Sequence, residues 1–560
     1  MAFCFGLWGL GWGLPSRERL DLFLNASQRN PEFYSELERA RTDRYEKMGG
    51  NPSAYAGRLL QQGVIFDPPA NPLHCFSSFI LRTHDADEQA TLVMISRLNP
   101  LKGRWYPGSY HYLGAYIYPL SAFLGAAHVA GVVKLVPGLT FYYEHPDAMA
   151  AIFRVLRFWS VLGLVFSACA LFLFVRRFST TAAALWSGLY FVLAPACLGF
   201  SKIGKPHIWA AGWTFLSMSF AFRYRESRRW RDLVIMGVLM GCALGTATTQ
   251  SVFLPMLFWA LWGPSPREFF KRALTLCAVI AAVFLVLNPF FFFHLQDYRD
   301  EIRFLSTWYS FKVRPAAIAD FFWFILRPAM GTALFVGSIA GLIFALGEKK
   351  PAFPKGATLA FLVSVIVLAF QMQALSRDPL QVRPALAALG VLAAFAVQMT
   401  YRSRWGAALR WLCVVFMLWN ATLYCRHFQS DKMPSDNATR ASVWIKDNIP
   451  AGSVIELIYN IPTVDQFPPV RFLDYTFVRF GDTGSGTNGN YLVMNPRGLG
   501  MDERLMAEGY KLEARFEYSP LQMRGGDDVF TNANFPLRIY RKSTPEPSKN
   551  QSRPKGKSPA

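Results

Sequence analysis

An acidic cluster stands out in the polar stretch that follows the apolar N-terminus of this chain. Asp85, Asp87 and Glu88 lie within four positions, directly after His84. Carboxylates at this density can accept a proton from a nucleophile or coordinate a divalent cation. They also suit the acidic first turn of a surface helix, where the helix dipole favours negative charge. The cluster is therefore a candidate catalytic or metal-binding site, with helix capping as the alternative.

The composition indicates a membrane protein. Of the 560 residues, 52% are hydrophobic and only 17% are charged, whereas roughly 25% of residues are charged in soluble globular proteins. The net charge of +21 is spread over loops between apolar segments, which is typical of cytoplasmic loops rather than of a nucleic-acid-binding surface. The eight cysteines are scattered without metal-binding spacing. We expect membrane lipids as partners and no nucleic acid.

Apolar segments near membrane length recur along the chain and predict an α-helical multi-pass membrane protein with about 11 transmembrane helices. The segments cover residues 3–14, 151–175, 181–198, 206–222, 232–249, 251–263, 271–293, 328–347, 356–373, 383–400 and 407–424. A further apolar stretch covers residues 110–134.

The basic loops predict which side of the membrane each connection occupies. They are Arg176-Arg177, the arginines of 223–231, Arg267 with Lys271 and Arg272, Lys349 with Lys350 and Lys355, and Arg402 with Arg404 and Arg410. These loops are expected to be cytoplasmic, which puts the loops 199–205, 294–327 and 374–382 on the other face. The parity of crossings then makes 110–134 a re-entrant or interfacial segment, with an ordinary spanning helix as the alternative.

These expectations divide the chain into six regions. They are 1–14, a first transmembrane segment; 15–109, an extracytoplasmic loop with amphipathic helices and the acidic cluster; 110–134, the re-entrant or juxtamembrane segment; 151–425, a multi-helix transmembrane core; 437–542, a small extracytoplasmic α/β domain; and 543–560, a disordered basic tail. Residues 1–14 are short for a span. We expect either that this segment tilts and thins the bilayer locally or, as the favoured alternative, that it is the remaining part of a longer transmembrane helix.

Several segments, in their order along the chain, resemble the C-type (GT-C) glycosyltransferases. This superfamily includes the protein O-mannosyltransferases and the bacterial aminoarabinose transferases of family 39. The segments are Asp87-Glu88, Leu98-Asn99-Pro100 and Trp105–Leu113, then Arg154-Val155-Leu156, Leu193-Ala194-Pro195, Lys205-Pro206-His207, Trp230–Leu233, Gly241–Thr246 and Arg440–Pro450. The chain departs from the family in lacking a lysine within 245–250 and in placing its acid pair about seventy residues after the first segment. The second departure leaves Glu18 or Asp21 as a rival acid site.

The resemblance implies that a sugar moves from a polyprenyl-phosphate carrier to an acceptor on the extracytoplasmic face, with inversion. Because the acceptor must lose a proton as the glycosidic bond breaks, a carboxylate must reach it. We predict Asp87 as this general base, with Asp85 or Glu88 orienting the acceptor or holding a divalent metal ion. Side chains 87 and 88 point about 100° apart on a helix, so they are not expected to serve one atom. The sugar, the acceptor and any metal dependence stay open.

The leaving phosphate gathers negative charge, so cations should face it. Lys202 and Lys205 are the first candidates, and His207 is predicted to add a hydrogen-bond donor. Arg154 and Arg157, near the outer end of their apolar segment, are predicted to act similarly. The alternative for each is snorkelling to lipid headgroups.

Aromatic and basic residues near the same face complete the predicted site. Tyr106, Tyr110 and His111 are predicted to line the acceptor or carrier groove, although a membrane-interface aromatic belt has the same composition. Arg377 and Arg383 flank Asp378 and are expected to pair with it.

Two other function classes compete with an enzyme. A transporter or flippase for lipid-linked glycans would use as many helices, and a membrane scaffold would use its C-terminal domain to bind a partner. Transporters tend to place ionisable groups at mid-membrane, whereas the charges here cluster on loops and at segment ends. We therefore favour an enzyme of the bacterial cytoplasmic membrane. A glycine-rich stretch, 484–489, is interpreted as a hairpin loop rather than a dinucleotide site because strand-like runs flank it.

Overall fold

The computed structural model is largely α-helical with one small β-sheet. It describes residues 1–47, 73, 77, 79–263, 265–308, 315–349, 351–371, 383, 385–429, 436–457, 467–479, 490–494, 501–518 and 535–542. The helices are α1 (Ala2–Leu7), α2 (Arg17–Phe23), α3 (Pro31–Lys47), α4 (Ala86–Ser96), α5 (Gly114–Val129), α6 (Thr140–Glu144), α7 (Pro146–Val175), α8 (Thr181–Leu193), α9 (Pro195–Ser201), α10 (His207–Ser227), α11 (Trp230–Thr246), α12 (Leu254–Leu261), α13 (Pro266–Leu287), α14 (Leu295–Trp308), α15 (Pro315–Asp320), α16 (Arg327–Met330), α17 (Thr332–Gly347), α18 (Lys355–Gln371), α19 (Leu386–Arg402), α20 (Gly406–His427), α21 (Asn437–Asn448) and α22 (Met501–Ala507).

The predicted apolar segments after residue 150 coincide with helices. Within the described parts of the chain, α7, α13 and α20 are long and apolar enough to cross a membrane. Two bent pairs, α8 with α9 and residues 316–330 with α17, raise this number to five if each pair is one span. Two further apolar helices, α18 and α19, are shorter than a usual span of about 20 residues. The number of about 11 transmembrane helices therefore stays a prediction.

A proline break directs the chain toward the acidic cluster. Helices α8 and α9 meet at an angle of 65°, and Pro195 is the first residue of α9. Proline lacks a backbone N–H and disfavours helix in the residue before it, so it ends one helix and starts the next. The bend leads α9 into a short loop, residues 202–206, before α10 begins at His207.

The helical body has one extensive apolar core. Helix α10 packs between α7 and α11, and α17 packs against α19. The close approach of α17 and α19 requires a glycine, because a Cβ at Gly341 would lie 2.2 Å from the carbonyl oxygen of Phe395. Such an approach brings the backbones of the two helices together and fixes α19, whose N-terminal end lies next to Arg383 in the chain.

The C-terminal sheet is small and mixed. Its strands are β1 (Val454–Leu457), β2 (Thr476–Arg479), β3 (Tyr491–Met494), β4 (Tyr510–Phe516) and β5 (Leu537–Lys542). The strand order is β2-β1-β3-β5-β4; β1 is parallel to β2 and β3, and β5 is antiparallel to β3 and β4. Helix α21 packs against α2 and shares a second apolar core with the sheet and the segments before α7. The boundaries 437–542 of an extracytoplasmic α/β domain stay a prediction.

Two predicted segments near the N-terminus have shorter helices than expected. In 1–14, only α1 is helical, and turns follow it as far as Gly13. In 110–134, α5 buries Tyr116, Ile117 and Leu120 against the second core. The predictions that 1–14 is a transmembrane segment and that 110–134 is re-entrant or juxtamembrane stay predictions. The glycine-rich stretch 484–489, the loop 374–382 and the tail 543–560 lie outside the described residues.

Candidate active site

The acidic cluster forms the N-terminal end of α4. Asp85 is the N-cap residue, and its Oδ1 accepts a hydrogen bond of 3.0 Å from the backbone N–H of Asp87. An aspartate in this position satisfies an N–H that lacks a partner inside the helix. The capping alternative is thus correct for one oxygen of Asp85. Its other oxygen, Oδ2, and the side chain of Asp87 face the loop 202–206.

The loop 202–206 is held in place on three sides, which fixes the position of Lys205. Its carbonyl oxygens accept hydrogen bonds from side chains of three separate elements: Trp12 Nε1 to Lys202 (3.0 Å), Ser160 Oγ to Ile203 (2.7 Å) and Thr91 Oγ1 to Gly204 (3.0 Å). Because one of these donors belongs to α4, the loop and the acidic cluster are positioned by the same helix.

Two cations converge on Asp87. Lys205 Nζ lies 2.7 Å from Asp87 Oδ2 and 3.1 Å from Asp85 Oδ2. Arg383 Nη1 lies 3.0 Å from Asp87 Oδ2 as well. Lys205 and Asp85 are 5% exposed, whereas Asp87 and Arg383 are 25% and 21% exposed. The cluster is therefore open to solvent on the side of Asp87 and Arg383, where a substrate can reach it.

The two aspartates have opposite pKa shifts. Burial alone would raise the pKa of Asp87, but Lys205 and Arg383 outweigh burial and hold the pKa below its ordinary value. For Asp85, burial raises the pKa above its ordinary value, and Lys205 opposes this rise only in part. Asp87 is consequently ionised at neutral pH and, while both cations contact it, is a weak proton acceptor.

Unsatisfied polar atoms lie beside this cluster. Among the described residues, the hydroxyl of Tyr112 and both ring nitrogens of His207 are buried and have no hydrogen-bond partner. The two rings meet edge to face, with centroids 6.4 Å apart. Asp87 and Arg383 act electrostatically on both side chains. Because buried polar groups in native proteins nearly always have partners, we expect water or a bound molecule to supply partners for these atoms.

Glu88 and Arg157 form a separate, closed ion pair. Arg157 Nε and Nη2 lie 2.8 and 2.7 Å from the two carboxylate oxygens of Glu88. Arg157 Nη1 donates to the carbonyls of Leu10 and Trp12, and Glu88 Oε1 accepts 2.8 Å from Gly204 N–H. Both side chains are fully buried. The catalytic role predicted for Glu88 and the phosphate-binding role predicted for Arg157 do not fit this pair. Both side chains use these contacts to join α4, α7, residues 10–12 and the loop 202–206 to one another.

Three other predicted site residues lie away from the cation cluster. Lys202 Nζ donates to the carbonyl oxygens of Phe5 and Gly6, at the end of α1. Arg154 is exposed on α7. The ring of Tyr110 packs against that of Tyr298, with a centroid distance of 5.6 Å.

The sequence did not reveal the contacts of three residues, of which Arg383 and Glu301 belong to the site and Asp297 lies beside it. Arg383 was expected to pair with Asp378, which is outside the described residues. Glu301 on α14 contacts His111, with 2.9 Å between Oε1 and Nδ1. One turn earlier, Asp297 Oδ2 accepts 2.5 Å from Tyr106 Oη. The sequence did contain one indication of these contacts. Asp297 and Glu301 are spaced i and i+4, so they lie on one side of the amphipathic helix α14.

The donor set does not fit a divalent metal ion. In the part of the chain that the structure describes, no three His, Cys, Asp or Glu side chains are grouped to hold one. Asp85 and Asp87 are matched to Lys205 and Arg383, and Glu88 to Arg157. A cation would have to displace these partners.

A large, mostly apolar cavity of about 1430 Å³ lies along another face of α4. Gln89, Leu92 and Val93 of α4 contribute to its wall. The remaining wall comes from α3, the segment 97–105, α5, the loop 135–139, α6, the start of α7 and the end of α13 with the residues after it, and it includes the charged residues Glu38 and Arg41. The helix that carries the acidic cluster therefore also forms one wall of a space large enough for a lipid chain.

Comparisons with solved structures give distant likenesses. The oligosaccharyltransferase of Archaeoglobus fulgidus is 13% identical, with a TM-score of 0.45, over 74% of this chain and 66% of that one. ArnT of Cupriavidus metallidurans is 12% identical, with a TM-score of 0.44, over 81% of this chain and 93% of that one. Scores this low do not establish a shared reaction or site. Among curated proteins, no sequence matches this chain.

A family model matches part of the sequence. The match covers residues 149–292, and the family is described as dolichyl-phosphate-mannose-protein mannosyltransferase. The matched segment contains Lys205 and His207 and begins after the acidic cluster. For residues 149–292, the match confirms the resemblance to C-type glycosyltransferases that the motifs indicate.

Proposed function

We propose that this protein is a membrane glycosyltransferase that moves a sugar from a polyprenyl-phosphate carrier to an acceptor. The observation that carries the proposal is the convergence of Lys205 and Arg383 on Asp87 at the partly exposed face of the cluster, which we call the pocket. The unsatisfied polar atoms of Tyr112 and His207 lie beside these cations. Two cations and adjacent hydrogen-bond donors form a suitable binding set for a phosphate group.

The cation pair would act on the leaving group. As the bond from the anomeric carbon to the phosphate oxygen breaks, negative charge accumulates on the phosphate. Lys205 and Arg383 are already held near that position by Asp85 and Asp87. Donors fixed before the reaction stabilise developing charge without reorganising. In this role the two aspartates position the cations, and the prediction that Asp87 is the general base stays a prediction.

The carrier's hydrocarbon chain would lie in the cavity beside α4. The cavity is lined mainly by apolar side chains and shares α4 with the cation cluster; in this proposal one substrate occupies both, with its phosphate at the cations and its chain in the cavity. The description of the matching family names a dolichyl-phosphate-linked mannose. This supports a prenyl-phosphate donor, and mannose is the sugar to try first.

We further propose that the pocket faces the extracytoplasmic side of the cytoplasmic membrane of a bacterium. Helix α10 begins at His207, beside the pocket, and ends at Ser227, next to the basic cluster 223–231. Its 21 residues separate these ends by about 30 Å. If the basic cluster is cytoplasmic, the pocket is on the opposite face. Transfer with inversion is part of the same proposal.

The experiment supplies purified full-length protein with radiolabelled polyprenyl-phosphate mannose and with membranes as the acceptor source. We expect label to leave the lipid fraction, and we expect Asp87→Asn to reduce this transfer strongly. Asp21→Asn is the matched control, because Asp21 is the rival acid and pairs with Arg29 at 2.7 Å outside the pocket.

Two outcomes would contradict the proposal. Transfer that depends on Asp21 rather than Asp87 would move the site. Movement of the labelled lipid across a vesicle membrane, with the sugar still attached and no transfer to any acceptor, would instead favour the flippase alternative.

A further inference from the structure

We propose that His111, held by Glu301, accepts the proton of the acceptor in the sugar transfer proposed above. This inference rests on that function and concerns only how the acceptor is activated. It differs from the prediction that Asp87 is the general base, and it assigns roles to the loop before α5 and to α14.

His111 and Glu301 form a well-defined pair. Nδ1 of His111 lies 2.9 Å from Oε1 of Glu301. The carboxylate is 1% exposed, whereas the imidazole is 19% exposed. The hydroxyl of Ser109 accepts from the backbone N–H of His111 at 3.1 Å and lies 3.5 Å from the other oxygen of Glu301. A carboxylate at Nδ1 favours the tautomer that has its proton there, so Nε2 has the lone pair.

His111 lies within electrostatic range of the cation cluster and connects to it through aromatic contacts. Its ring centroid is 4.6 Å from that of Tyr112, whose ring meets that of His207. Asp87 and Arg383 both act electrostatically on His111. The titratable and charged groups that face His111 are Glu301 on α14, Asp87 on α4, Arg383 before α19, His207 at the start of α10, and Tyr112.

The relative base strengths favour His111 over Asp87. Burial lowers the pKa of His111, but Glu301 and Asp87 outweigh burial and raise the pKa above its ordinary value. Lys205 and Arg383 shift the pKa of Asp87 in the opposite direction, below its ordinary value. A stronger base with a pKa nearer the working pH is the better proton acceptor.

The transfer step then balances. The acceptor oxygen or nitrogen bonds to the anomeric carbon, and the bond from that carbon to the phosphate oxygen breaks with its electron pair on the phosphate. The acceptor proton moves to Nε2 of His111. Glu301 stabilises the resulting imidazolium, as the third member of a nucleophile–base–carboxylate arrangement does.

The pH dependence of transfer tests this role. His111 accepts a proton only when neutral, so the rate should fall as the pH decreases through its raised pKa. Glu301→Gln removes the first cause of that rise, so the acid limb of the pH–rate profile should move to lower pH. His111→Gln should reduce the rate by about 10²- to 10⁴-fold and abolish that limb. A purely structural role for Glu301 would lower the rate without moving the limb.

Asp297→Asn provides the matched control. Asp297 lies one turn from Glu301 on α14 and contacts Tyr106 and His294 rather than His111, so its loss should leave the acid limb in place. An unmoved limb in Glu301→Gln overturns the inference. If that variant does not fold, His111→Gln decides alone, and an acid limb identical to the wild type overturns the inference. Absence of transfer in the wild-type protein contradicts the proposed function instead.

Discussion

Two ionic clusters stand side by side at the start of α4, and they differ in how completely their partners are matched. Glu88 and Arg157 are fully buried, and backbone groups complete their hydrogen bonds. Asp87 and Arg383 are partly exposed, and the neighbouring Tyr112 has a buried hydroxyl without a partner among the described residues. The closed cluster joins segments of the fold, whereas the open one keeps part of its charged surface accessible.

The difference teaches that adjacent acids of one motif can have opposite roles. Residues 87 and 88 point about 100° apart on a helix, and their contacts follow that geometry. Asp87 faces Lys205 and Arg383, whereas Glu88 faces Arg157 and the backbone of Gly204. A short acidic run therefore contains one partly exposed acid that contacts two cations and one buried acid that joins segments of the fold.

The largest expected effect comes from breaking the closed cluster. Glu88→Gln leaves the buried charge of Arg157 without its partner, and we expect a loss of about 3–5 kcal/mol in the free energy of unfolding. Thermal unfolding of the purified protein measures it. The double variant Glu88→Gln with Arg157→Met should recover part of the loss. An unchanged unfolding temperature in the single variant would mean that this pair does not hold the fold.

Removing the buried cation of the open cluster should have the next largest effect. Lys205→Met deletes the ammonium predicted to face the leaving phosphate, and we expect about a 10²- to 10³-fold loss in the transfer rate. The radiolabel assay measures this rate. The matched variant Lys202→Met, whose native ammonium binds carbonyls at the end of α1, should lower thermal stability more than it lowers the rate per folded molecule. The reverse pattern would exchange the roles of the two lysines.

Arg383→Gln should have a smaller effect. The guanidinium is partly exposed, and a hydrogen bond to a charged group contributes about 1.5–3 kcal/mol. We therefore expect a roughly 10- to 100-fold decrease in transfer at nearly unchanged stability. Steady-state rates over a range of donor concentrations check this. A variant as active as the wild type would remove Arg383 from the phosphate site.

Arg154→Gln should have the smallest effect. Its side chain is exposed on α7, one turn from Arg157, and the structure gives it no place in either cluster. We expect unchanged transfer and unchanged stability in the same assays. A loss as large as that of Lys205→Met would show that the open cluster extends to this face of α7.

Much of the helical fold could be predicted from the sequence, because burial is encoded locally. Each apolar segment predicted after residue 150 lies on a helix. Asp85 and Asp87 were found because three acids lie within four positions, and Lys205 because it lies in a short loop between two apolar segments. These predictions depend only on residues that are close in sequence and on the spacing of apolar residues along the chain.

The rest of the site depends on contacts that the sequence does not show. Arg383 is 296 residues from Asp87, and a nearer acid, Asp378, was the obvious partner. Glu301 lies on an amphipathic helix whose charges are typical of a solvated face. Arg157 was expected at the phosphate, but a buried cation needs a full set of partners, which Glu88 and two carbonyls supply.

Direct binding of the carrier tests the central claim most simply. Native mass spectrometry of the purified protein, supplied with polyprenyl phosphate or with the uncharged polyprenol, separates the contribution of the phosphate from that of the chain. We predict that the phosphate form binds more tightly than the alcohol and that Lys205→Met removes this preference while binding of the alcohol is unchanged. Equal binding of both lipids to the wild-type protein would contradict the account.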